Sequence, residues 1–129
     1  MIVIICSLPV TVASNWLATA WDQNCALQAM SPAGAAFETA ALGWTLEALR
    51  LPTDAGGAFV VGATMANFTA LAAARHRVFA RAGWDVDADG LAGAPPLTVV
   101  VGAEVHATVR RVLGLLGLGR TRALVLPVD

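Results

Sequence analysis

The sequence predicts an α/β fold, a mainly parallel sheet flanked by helices, and three observations carry that reading. Between Ala58 and Leu126, short apolar runs of strand length alternate with segments of helical periodicity. The run from Leu97 to Val101 is continuous and β-branched, as in strands that parallel sheets cover on both faces. Composition agrees: 57% hydrophobic and 13% charged residues leave too little polar surface for a small free-standing domain. At 129 residues the chain is one domain at most, or part of a larger one.

The elements follow in order. Ser14 to Met30 is mixed, with Trp16, Trp21 and the polar trio Asp22-Gln23-Asn24. Ser31-Pro32 reads as an N-cap followed by proline at the first helical position, and predicts a helix from Pro32 to Leu49. Phe37, Ala41, Trp44 and Ala48 form one apolar stripe on it and Leu42, Leu46 and Leu49 another, so much of its surface is expected to be buried. Leu51-Pro52 ends it, and Asp54 to Gly57 is a turn. Ala58 to Val61 is a short strand. Thr64 then caps a helix from Met65 to Ala82, with Phe68, Leu71, Ala72 and Phe79 inward and Gly83 as its stop. Asp85 to Pro96 is a surface loop leading into the strand Leu97–Val101. Val105, Val109, Val112 and Leu116 recur at helical spacing, with Arg110 and Arg111 facing away and Gly117 and Gly119 closing the helix. Ala123 to Leu126 is a last buried strand, ended by Pro127.

Charge and cysteine usage exclude several classes. A formal net charge of −1, with no basic stripe and no interleaved aromatics, gives no electrostatic case for nucleic acid or an anionic membrane. All eight basic residues are arginine, so the chain has no lysine. Cys6 and Cys25 have no metal-ligand spacing; they read as buried or free thiols in a reducing compartment, and no metal is expected. Met1 to Val12 is apolar, but it lacks a basic start and a cleavage site and is too short to span a bilayer. Residues 1–13 are an unassigned leader, residues 14–56 an N-terminal helical segment, and residues 57–129 the α/β segment.

Two places carry candidate chemistry. At Gly62-Ala63-Thr64 an apolar run meets a glycine, a small residue and a hydroxyl just where a helix begins. Unpaired N–H groups and the positive end of the helix dipole converge there, which suits a phosphate. Ala63 and Thr64 would donate N–H groups, Thr64 its hydroxyl, and Gly62 would allow the tight turn. His106 follows the strand Leu97–Val101 by a few residues, near the carboxyl ends of the strands, where open α/β sheets bind ligands. Each feature alone is as compatible with an ordinary strand-to-helix turn or a capping histidine. Their shared placement at one sheet edge joins them.

The chain resembles the group II pyridoxal-phosphate-dependent amino acid decarboxylases, the family of aromatic-amino-acid, tyrosine, histidine and glutamate decarboxylases. The resemblance covers Ser14 to Asp129. It rests on Trp21-Asp22-Gln23-Asn24 with Met30-Ser31-Pro32, on Glu38 through Trp44 and Leu49, on Gly62-Ala63-Thr64-Met65-Ala66-Asn67-Phe68-Thr69-Ala70-Leu71, and on Glu104-Val105-His106-Ala107-Thr108-Val109. It implies part of the large domain of a fold-type I, aspartate aminotransferase-like enzyme, with pyridoxal 5'-phosphate as cofactor and an amino acid substrate losing carbon dioxide. It implies that Ala63 and Thr64 bind the cofactor phosphate, with Gly62 supplying the turn. His106 would stack on the pyridine ring and align the substrate carboxylate, while Asn67 supports the loop and is given no ligand role.

The departures bear on activity. The family holds its cofactor as a Schiff base on a lysine and pairs the pyridine nitrogen with an aspartate, both later in its order than the histidine. This sequence has no lysine, and Asp129 belongs to the segment after the histidine helix and is not that aspartate. The expectation is an N-terminal fragment, inactive alone, of a cytoplasmic carboxy-lyase whose full-length parent is a homodimer. Another fold-type I lyase such as a desulfurase, and a non-catalytic remnant or dimerisation piece, remain open beside it.

Overall fold

The structure, a computed structural model, describes residues 8–25 and 27–127; the sequence readings for Cys6, for the first residues of the leader and for Asp129 lie outside them. The chain divides into two compact units, one ending at Ala58 and the other beginning at Phe59.

The first unit holds helices α1 (Pro9–Trp21) and α2 (Pro32–Leu49). Each starts with proline in its first turn, where the missing N–H costs nothing. The bounds of α2 are those its sequence predicts. Ser31 occupies the N-cap position, but its side chain makes no capping bond. Instead the buried hydroxyl lies 3.7 Å from Cys25 Sγ. Gly34 lets the two approach, since a Cβ there would sit 2.8 Å from both Cys25 Sγ and Ser31 Oγ. Cys25 itself is a free, exposed thiol.

The burial expected of α2 is not found. Leu46 is its single buried residue, whereas Phe37 is 69% and Trp44 72% exposed. The apolar residues are spread around the helix rather than gathered on one face, so a single neighbour can cover only a fraction of them.

The second unit holds α3 (Gly62–Arg81), α4 (Val86–Asp89), β1 (Val100–Gly102), α5 (Ala107–Leu115) and β2 (Leu124–Leu126). It is an α/β arrangement with a small sheet: β1 and β2 pair in parallel, Val100 opposite Leu124, Val101 opposite Val125 and Gly102 opposite Leu126. α5 is the crossover between them, as parallel pairing requires. The core lies between helices, where Phe79, Val86, Val112, Leu113 and Leu116 are buried.

α3 and α5 end by the same device. Gly83 at φ +74° sends its N–H to Ala80 O (3.1 Å), and Trp84 N–H reaches Phe79 O (3.0 Å). Gly117 at φ +75° and Leu118 repeat this with Gly114 O (3.1 Å) and Leu113 O (2.9 Å). Both are Schellman closures, in which glycine takes the left-handed position without a Cβ penalty.

Several expectations are corrected here. Ala58–Val61 forms no strand; among the described residues the sheet consists of β1 and β2, and neither pairs with it. It ends in a tight turn, Gly62 N–H bonding to Val60 O at 3.1 Å around Val61 (φ −82°, ψ 94°). Helix α3 therefore starts at Gly62 and not Met65, and the N-cap is Val61 rather than Thr64. Asp85–Pro96 is not all loop, because Asp85 caps α4 by accepting from Asp87 and Ala88 N–H at 3.1 Å each. Arg110, expected to face away with Arg111, is half-buried. The strands are shorter than predicted and are not buried, with Val100 53% and Leu126 57% exposed. A two-stranded sheet has few neighbours to supply that cover.

Two outcomes are expected. Leu113→Ala, at a site 1% exposed, should cost about 2–5 kcal/mol, a large share of a small domain's stability. Amide exchange should then accelerate through α3 and α5 and leave α2 unchanged. The chain should also self-associate through its exposed apolar faces and unpaired strand edges; light scattering showing a monomer that melts cooperatively would contradict this.

Candidate functional site

The site is built from the starts of α3 and α5. In any α-helix the first N–H groups have no partner within the helix. At α3 the N-cap is Val61, whose side chain has no acceptor, so no side-chain bond caps the helix. Gly62 N–H is used by Val60 O. The N–H groups of Ala63 and Thr64 are left facing outward from the first turn.

Thr64 adds a hydroxyl. Thr19, Thr39 and Thr45, within their helices, bond back to the carbonyl four residues earlier at 2.8–2.9 Å. Among the described residues, the Thr64 hydroxyl makes no such bond and has no other partner. Gly62, Ala63 and Thr64 are all exposed. Gly62 holds φ +80°, and a Cβ placed there would meet nothing within 4 Å. Its requirement is conformational, not one of space.

His106 is the N-cap of α5. Its Nδ1 accepts from Thr108 N–H at 3.3 Å and lies 2.8 Å from Thr108 Oγ1. Thr108 Oγ1 in turn accepts from Asn67 Nδ2 at 2.9 Å. Asn67 lies three residues after Thr64, on the same side of α3. A short polar chain thus links the start of one helix to the histidine at the start of the other. Sequence reasoning named Asn67 as a support and passed over Thr108; the visible signal was a hydroxyl two residues after an N-cap histidine.

A second bond fixes the relative direction of the helices. Arg75 donates from Nη1 to Leu116 O at 3.0 Å. Asn67 to Arg75 and Thr108 to Leu116 are each eight residues, so the two tethers match in spacing and α3 and α5 run parallel. Both N-termini therefore lie at one end of the unit, at the carboxyl side of β1, which α5 follows directly. Gly62, Ala63, Thr64 and His106 thus stand at the same end of the second unit, although the first three follow an unpaired segment and not a strand.

These residues fit a phosphate-bearing aromatic cofactor. The open N–H groups and unpartnered hydroxyl suit a dianion at a helix N-terminus, and an exposed imidazole stands at the neighbouring helix start. A mostly apolar concavity of about 480 Å³ lies elsewhere, lined by Trp21, Cys25, Ser31, Gly34 and Phe37 of the first unit, and it contains none of these residues. The helix starts of the second unit are the better candidate, because there an uncapped first turn and a histidine-capped one are tethered to each other, whereas the concavity holds no histidine and is mostly apolar. Among the described residues no cluster of acidic, histidine or cysteine side chains could hold a metal, and no helix is long and apolar enough to cross a membrane.

No family model matches the sequence, and no curated protein matches it. Solved structures do. The chain has the fold of part of mouse CSAD, cysteine sulfinic acid decarboxylase, with a TM-score of 0.82 to the apo crystal structure and 0.83 to a second crystal structure of the same enzyme. Identity is 24% in both, over 95% of this chain. The chain spans 25% of the length of those structures. The similarity establishes the fold: this α/β chain has the architecture of a segment of that decarboxylase.

If the helix start needs the unusual backbone at Gly62, Gly62→Ala should disturb it. Placing a Cβ at φ +80° costs about 1 kcal/mol, and the expected result is faster amide exchange confined to Gly62 and to the next residues of α3, whose N–H groups bond back to the carbonyls of the first turn. Unchanged exchange there would contradict the role given to Gly62.

Proposed function

We propose that the chain is a piece of a pyridoxal-phosphate-dependent amino acid decarboxylase, a carboxy-lyase. Its part in that enzyme is to anchor the cofactor phosphate and position the histidine beside the ring. The observation that carries the reading is the tethering of two helix starts at one end of the second unit, an uncapped one at Ala63 and Thr64 and a histidine-capped one at His106. The fold shared with mouse CSAD supports it.

Pyridoxal phosphate, when bound, supplies an electron-poor ring that takes up the electron pair left as carbon dioxide departs. The protein's own residues do simpler work. Ala63 and Thr64 donate N–H groups and Thr64 its hydroxyl to the phosphate, and the dipole of the 20-residue α3 favours that negative charge. His106 offers an imidazole face to the ring and an edge to the substrate carboxylate. The cytoplasmic location, the homodimeric parent and the amino acid substrate belong to the same proposal.

A second reading is favoured by one specific feature. With no lysine in the sequence, no side chain of this chain can hold the cofactor covalently. A non-catalytic role, as a remnant or as a dimerisation piece beside a lysine-bearing chain, is consistent with that. Both readings assign the same phosphate anchor.

Equilibrium dialysis of the full chain against pyridoxal phosphate and against pyridoxal tests the anchor. The phosphate-bearing compound should be retained and pyridoxal should not. Thr64→Val should weaken retention about tenfold, since a hydrogen bond to a charged group contributes about 1.5–3 kcal/mol. Equal retention of the two compounds, or no effect of Thr64→Val, would remove the basis for the proposal.

A further inference from the structure

We infer that Asn67 and Thr108 are positioning residues that set the tautomer of His106, leaving Nε2–H as its free donor edge. The inference rests on the site reading above and goes further, giving a role to two residues outside the cofactor contacts.

The argument follows the protons. Asn67 Nδ2 carries only donors, so the bond at 2.9 Å makes Thr108 Oγ1 its acceptor. The hydroxyl proton of Thr108 is then free to point along its other short contact, to His106 Nδ1 at 2.8 Å. Thr108 N–H also points at Nδ1, at 3.3 Å. Two donors converge on Nδ1, so it bears the lone pair, and the neutral ring carries its proton on Nε2. Nδ1 is held against the first turn of α5, and Nε2 lies on the ring edge turned away from Thr108.

The tautomer decides the sign of an interaction. On the proposed reading an anionic carboxylate approaches the free edge of His106. An Nε2–H attracts it, whereas the opposite tautomer would present a lone pair and repel it. The half-buried Asn67 amide, 41 residues before Thr108 in sequence, biases that choice through one threonine hydroxyl.

The chain contains two histidines, His76 and His106, so ¹⁵N-histidine labelling gives a simple spectrum, assigned with His76→Gln. Magic-angle-spinning NMR tolerates self-association. At about pH 9, above the ordinary histidine range, His106 should show an unprotonated Nδ1 and a protonated Nε2 without any cofactor. Asn67→Asp nearly preserves volume but replaces the donor by an acceptor. The Thr108 hydroxyl should then turn to the carboxylate, leaving the longer Thr108 N–H bond as the remaining donor to Nδ1 and letting the Thr108 oxygen accept from Nδ1–H in part of the population, so that the shifts of the two ring nitrogens move toward each other. Thr108→Ser should retain the original pattern, and the His76 signals should not move in either variant. An Nδ1–H tautomer in the unaltered chain, or Asn67→Asp leaving both His106 shifts in place, would overturn the inference. Failure of pyridoxal phosphate to bind would defeat the site reading and leave this result standing.

Discussion

The packing of α3 against α5 is the constraint on which the second unit depends. Apolar contact supplies its bulk, through Phe79 on one helix and Val112, Leu113 and Leu116 on or beside the other. Apolar contact alone does not fix register, because it is non-directional. Register comes from the two polar tethers, Asn67 to Thr108 near the N-termini and Arg75 to Leu116 O near the C-terminus of α5. The second also places a cation at the negative end of the α5 dipole. Arg75 is committed to this role: Nη2 lies 3.9 Å from Asp87 Oδ1, and the buried Nε has no partner among the described residues. Asp87 is 66% exposed, so its ion pairs with Arg75 and His76 add little beside the bond to the carbonyl.

What the sequence made legible was governed by local chemistry. Pro32 after Ser31 marked the start of α2, and Gly83 and Gly117 marked the ends of α3 and α5, because these residues restrict or free φ whatever surrounds them. The apolar positions Val109, Val112 and Leu116 were legible for a related reason, α5 having one apolar face and α3 to receive it, whereas Val105, expected on the same stripe, precedes the helix. What misled was context. Ala58–Val61 has the composition of a strand, but a strand also needs a partner. Helix α2 has two stripes, but burial needs something to cover them. The two caps depart from expectation differently: Ser31 is the N-cap of α2 but its hydroxyl lies near Cys25 Sγ instead of bonding the helix, whereas at α3 the backbone turns at Val61, before Thr64.

The candidate site was legible as residue types and not as geometry. Gly62, Ala63, Thr64 and His106 could be picked out because a helix start and a histidine are chemically conspicuous. Their placement at one end could be read from the order of elements, but the bonded path between them could not, because it passes through Asn67 and Thr108, which are 41 residues apart and unremarkable separately. The missed N-cap at Val61 strengthens the site. A threonine cap would spend its hydroxyl on the helix's own N–H groups. With valine in that place the N–H groups of Ala63 and Thr64 and the Thr64 hydroxyl remain available. A better-capped helix would be more stable by about 1 kcal/mol and a poorer anion site.

On the proposed reading, the absence of lysine separates two functions, positioning the cofactor and holding it covalently. An anion at a helix N-terminus contributes binding that is the same before and during reaction, and uniform binding of that sort does not lower a chemical barrier. Chemistry requires in addition a covalent hold on the ring and a partner for its nitrogen, and no side chain of this sequence can supply the first. On the proposed reading this chain therefore contributes position. The phosphate anchor fixes one end of the cofactor, His106 faces its ring, and Asn67 with Thr108 sets which edge of that histidine carries a proton. All of these depend on the same two tethered helices, so a shift in the α3–α5 register would move the anchor and the histidine together.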